Sequence, residues 1–120
     1  MPIKKLVELN GEFGGWLEID PVKLQRVATE FRNWLLTINL QNDRQRLLDK
    51  DLPIVEAAIA GTLKLPYYAH PHRREIGEGE LDWCLDKIAP FYNTISGSLY
   101  SPPEVIMKDG RYFAWTEWED

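Results

Sequence analysis

The sequence of 120 residues predicts an α+β fold, about three helices packed on a small antiparallel sheet, as one domain spanning 1–120. Three patterns carry that expectation. Leu24, Val27, Phe31, Trp34 and Ile38 recur at alternating spacings of three and four, as on one face of an amphipathic helix. Leu81, Cys84, Leu85, Ile88, Tyr92 and Ile95 form a second such stripe. Near the C-terminus, Glu104-Val-Ile-Met-Lys108 and Arg111-Tyr-Phe-Ala-Trp-Thr-Glu-Trp118 flank Asp109-Gly110, a dipeptide suited to a two-residue β-hairpin turn.

At the start of the chain, Ile3 to Leu9 reads as extended, Asn10-Gly11 suits a tight turn, and Trp16-Leu17-Glu18-Ile19 is expected to return as the partner strand. Gly14-Gly15 marks a bulge or a wider loop in that pairing. Asp20-Pro21 then starts a helix of about five turns, because the Asp side chain accepts orphan N–H groups and proline suits the first helical position. Ala28 and Leu35 lie beside its apolar stripe, with Arg26, Glu30 and Asn33 on the far side. Residues 39–43 break the pattern, and Arg44 to Leu48 either carry the helix on or form a short separate turn. Asp51 before Leu52-Pro53 starts another helix by the same logic of cap and early proline. Ile54, Val55, Ala58 and Ile59 face inward and Gly61 is the stop.

Residues 62–80 are the least regular. Leu63 and Leu65 alternate with polar neighbours as a short strand would, but Pro66, Pro71, Gly77 and Gly79 exclude any long element. From Gly79 the second stripe defines a helix ending at Ser96-Gly97, with Pro90 opposite the stripe, where it bends the helix around the core. In the final hairpin, alternation puts Phe113 and Trp115 on one face and Tyr112, Ala114, Thr116 and Trp118 on the other. A sheet covered on one side only would therefore leave aromatics exposed.

Composition bounds the function. With 44% hydrophobic and 28% charged residues the chain can bury a core. No apolar run approaches the roughly 20 residues of a membrane span, and the first residues lack the apolar stretch of a secretory signal, so a soluble, cytoplasmic protein with no membrane partner is expected. Its one cysteine, Cys84, excludes an intrachain disulfide and a multi-cysteine zinc site. A net charge of −5 argues against nucleic acid as the main partner, since that affinity comes from Lys and Arg neutralising phosphates. The imbalance is local: residues 75–86 hold five of the 19 acids (Glu75, Glu78, Glu80, Asp82, Asp86) and no base, leaving 14 acids against 14 bases elsewhere.

Glu78, Asp82 and Asp86 repeat every four residues, and like charges at that spacing repel, so folding alone does not explain the row, although acids near a helix N-terminus are favoured. On the helical wheel Trp83 falls beside this row and away from the apolar stripe, an aromatic displayed among charges as at interface hot spots. The alternative is that another segment, such as 62–77, folds over it and the acids form a solvated face. Glu117-Trp118-Glu119-Asp120 is a second aromatic and acidic cluster. Tyr67, Tyr68, His70, His72, Arg73 and Arg74 form a secondary candidate. His70 and His72 are spaced to share a metal, with Cys84 or Glu75 as a third ligand, or to serve as acid and base on a phosphodiester held by Arg73 and Arg74. The ligand set is incomplete by spacing, and loop histidines beside arginines commonly cap, pair with carboxylates or face water. Cys84 lies on an apolar stripe and reads as a filler, not a thiolate. The glycines of 10–15 precede a strand and lack the helix and lysine of a phosphate loop. No catalytic residue, metal or cofactor is therefore assigned.

The expected function is that of a binding protein that grips a basic protein partner through Glu75, Glu78, Glu80, Asp82, Trp83, Asp86, Glu117, Trp118, Glu119 and Asp120. In size, acidity and tryptophan content the chain is similar in general character to immunity proteins, which neutralise basic nuclease toxins such as bacteriocins. That resemblance implies a toxin domain as partner. A phosphodiester-acting or metal-dependent enzyme using His70 and His72, and a regulatory or adaptor subunit whose partner is not basic, are the alternatives.

Overall fold

The structure, a computed structural model, describes residues 8–9, 12–13, 16–65, 79–96 and 103–115. It is α+β, as the sequence predicts: helices on one side of a three-stranded antiparallel sheet. Helix α1 (Pro21–Thr37) is the central element. Asp20 begins it as expected, its carboxylate accepting the Val22 N–H at 2.9 Å and the Lys23 N–H at 3.4 Å. Leu24, Val27, Ala28, Phe31 and Leu35 on its inner face are all buried, and it packs on both α3 (Leu52–Ala60) and α5 (Leu85–Ser96). Among the described residues, no helix is long and apolar enough to cross a membrane.

Residues 44–50 form a helix of their own, α2 (Arg44–Lys50). Helix α3 closes where glycine predicts, at Gly61 with φ +79°, its N–H turned back to the carbonyls of Ala57 and Ala58. Its start differs from expectation. Asp51 occupies the capping position but makes no side-chain cap; it is fully buried and accepts a hydrogen bond from the Tyr92 hydroxyl of α5. A carboxylate in the interior is held where a strong donor reaches it, and the buried phenol offers more than backbone N–H groups that water could serve.

The helix expected to run unbroken from Gly79 is two: α4 (Gly79–Asp82) and α5, joined at Trp83-Cys84. The joint is made by tight three-residue bonds, Trp83 N–H to Glu80 C=O at 3.2 Å and Cys84 N–H to Leu81 C=O at 3.0 Å. Leu81, Cys84, Ile88, Tyr92 and Ile95 are buried as the stripe predicts. Phe91, outside that stripe, is also buried and sits with Phe31 and Tyr92 in an aromatic cluster, with ring centroids 5.2 to 6.0 Å apart.

Among the described residues, strands β1 (Glu8–Leu9) and β2 (Glu12–Phe13) pair only with each other, Leu9 opposite Glu12, with two residues between them in sequence. The strand expected to return onto them, β3 (Trp16–Glu18), instead joins the C-terminal hairpin of β4 (Val105–Lys108) and β5 (Arg111–Trp115), in the order β3-β5-β4. Residues 3–7, 10–11, 14–15 and the hairpin's extension to Trp118 lie outside the described residues. The turn is as predicted, with Asp109 at φ 56° and Gly110 at φ 76°. Leu65 contributes a single antiparallel bridge to Val105, not a strand.

The sheet has two faces. Val105, Ala114 and Tyr112 look toward the helices, where the Tyr112 hydroxyl accepts the Leu63 N–H at 2.7 Å. On the other face the expected exposed aromatic is not found at Phe113, which is 4% exposed, as is Trp16, with Ile106 packed against the pair. This shared apolar face is what β3 gains by pairing with β5.

Candidate functional site

The acidic segment enters the structure at α4, and its three described acids divide into two kinds. Glu80 is half-buried and turned toward the connection between α1 and α2. Its Oε1 accepts the Gln41 N–H at 3.1 Å, and its Oε2 accepts those of Asn42 at 3.0 Å and Asp43 at 3.1 Å. Asp43 is the capping residue of α2 and makes no side-chain cap itself, so a carboxylate from 37 residues away supplies the acceptor. The Asn42 N–H foremost, then those of Asp43 and Gln41, hold the Glu80 carboxyl below the usual carboxylate range, against an opposing push from desolvation.

Asp82, Trp83 and Asp86 are exposed. Trp83 stands at the joint between α4 and α5 with 74% of its surface open to solvent, the outward placement the helical wheel predicts. The tight turn is responsible: Leu81 and Cys84 go into the core on either side, leaving Asp82 and Trp83 outside. Cys84 is buried, donates its thiol to the Glu80 carbonyl at 3.4 Å, and has its thiol pKa raised, first by burial and then by Asp86, Glu80 and Asp43. A thiol so placed is a poor nucleophile and a poor metal ligand.

Asp86 also has a placement that the sequence did not show. It lines, with Lys87 and Pro90 of α5, a cleft of about 230 Å³ whose other wall is Glu30, Phe31 and Trp34 of α1. A separate cleft of about 270 Å³ lies between the β4–β5 hairpin, the start of α1 and the end of α3; its charged lining residues Glu18 and Arg111 are paired with each other. Glu75, Glu78, Glu117, Trp118, Glu119 and Asp120, and the secondary set Tyr67, Tyr68, His70, His72, Arg73 and Arg74, lie outside the described residues.

What sequence reasoning missed is the division of labour among the acids. Glu80 stands outside the row of Glu78, Asp82 and Asp86, but nothing local shows that it serves the fold; that comes from which backbone N–H groups the structure brings beside it. Compared with models of protein families, with curated proteins and with solved structures, the chain matches none.

Proposed function

We propose that this chain is a non-catalytic binding protein of the immunity type, whose α4–α5 joint grips a basic protein partner such as a nuclease-like toxin domain. The observation that carries the reading is Trp83, an indole 74% exposed between the exposed carboxylates of Asp82 and Asp86. Such an arrangement joins two contributions to binding. A one-signed cluster of charge raises the encounter rate with an opposite surface, and an aromatic desolvated on contact slows dissociation. Glu80 acts here as a positioning residue: its three backbone bonds anchor α4 and so fix where Trp83 projects.

The test is capture from the native cell by the full chain, its D82K/D86K double variant and W83A, at low and at high salt. The expected result is a protein of high isoelectric point retained by the wild type, released by salt, and lost or strongly reduced with both variants, while circular dichroism shows all three folded. Capture of the same protein by D82K/D86K at wild-type level in low salt would sink the acidic-face reading. Capture indifferent to salt favours a regulatory subunit with a partner that is not basic.

A further inference from the structure

The cleft between α1 and α5 begins at Asp86, which the proposed face already uses, and runs to Trp34. Its base is apolar, made by the buried Val27 and Phe31, with Trp34 half-buried and stacked on Phe31 at 5.9 Å and 17°. Its rim carries two exposed carboxylates from different helices, Glu30 of α1 and Asp86 of α5, together with Lys87 and Pro90. Among the described residues neither carboxylate forms an ion pair, with Lys87 or otherwise. At about 230 Å³ the cleft is smaller than the roughly 300–1,000 Å³ of most small-molecule sites, and suits one long side chain.

We propose that this cleft is a socket for a single arginine side chain of the basic partner, seated on Trp34 between Glu30 and Asp86. The inference rests on the binding reading above and adds the chemistry it recognises. Arginine fits where lysine does not: its planar guanidinium stacks on an indole, is more weakly hydrated than an ammonium, and has donors enough to meet carboxylates on two sides. The cleft is net negative by one charge, two acids against the exposed Lys87, so a cation entering it completes the neutralisation. Asp86 thereby links the socket to Trp83, and an arginine next to an apolar residue on the partner would engage both.

The experiment uses the isotope-labelled full chain and two blocked tripeptides, Gly-Arg-Gly and Gly-Lys-Gly, followed by the indole N–H signal of Trp34 (assigned with W34F) and the backbone signals of α5. The arginine peptide is expected to shift Trp34 and residues 86–90 saturably, and more tightly than the lysine peptide. E30Q and D86N, which keep shape and fold, should each weaken it by about two- to fivefold, the factor for an exposed ion pair, and K87A should strengthen it. Shifts spread evenly over all acidic positions, or E30Q and D86N without effect, overturn the socket. In the capture assay, yield reduced by D82K but unchanged by E30Q overturns the socket and leaves the acidic face standing. Capture indifferent to both removes the two together, and yield reduced by both supports the socket.

Discussion

At Glu80 three backbone N–H groups converge on one carboxylate, and the ionised form is what they favour. Its pKa in the folded protein lies below its ordinary 4.5, so its contribution to stability is complete above that value and is lost as pH falls through the lowered folded value. Glu80→Gln should therefore lower Tm at pH 7, with the gap to the wild type narrowing as pH falls below 4.5; thermal melts across that range check this, and a gap that does not change with pH would refute it. Tyr92 is the opposite case. Burial, then the charge of Asp51 and its hydrogen bond, push the phenol well above its ordinary 10, so its contribution is full below pH 10 and lost as pH rises beyond. One of the five tyrosines should resist ionisation until the protein unfolds in alkali, and Tyr92→Phe should cost about 1–3 kcal/mol in denaturant unfolding by withdrawing a donor from buried Asp51.

Among the elements, those held together by their own sequence were legible and those held by distant partners were not. Helix α1 was readable because its cap, its proline and its inner stripe all lie within 18 residues of one another. Gly61 was readable as the end of α3 because its φ of +79° is one that other residues enter at a cost. An added Cβ there would meet nothing within 4 Å, so Gly61→Ala isolates backbone strain and should lower stability by about 1–2 kcal/mol, measured as a shift in denaturation midpoint with unchanged slope. By contrast, the partner of β3 is fixed by Phe113 and Ala114 at the far end of the chain, opposite Glu18 and Leu17. Local turn signals pointed to β1. The break at Trp83-Cys84 was equally hidden, because the periodic stripe runs through it, and Glu80, just before it, is bonded to residues 41–43, far away in sequence.

Across the whole molecule, the sequence by itself determined the α+β class, the inner faces of α1 and α5, the hairpin at Asp109-Gly110, and the concentration of net charge in residues 75–86. Each is a property of composition or of neighbours a few residues apart. Of the candidate site it made legible the outward placement of Trp83 beside Asp82 and Asp86, since a helical wheel needs only local spacing. Tertiary structure alone decided which acids face solvent and which serve the fold, and it alone brought Glu30 and Trp34 of α1 beside Asp86 of α5. The physical reason is one of range. Backbone periodicity is set within a turn or two, whereas the partners of carboxylates such as Glu80 and Glu18 are chosen when segments 37 to 93 residues apart pack together, and the walls of a cleft likewise.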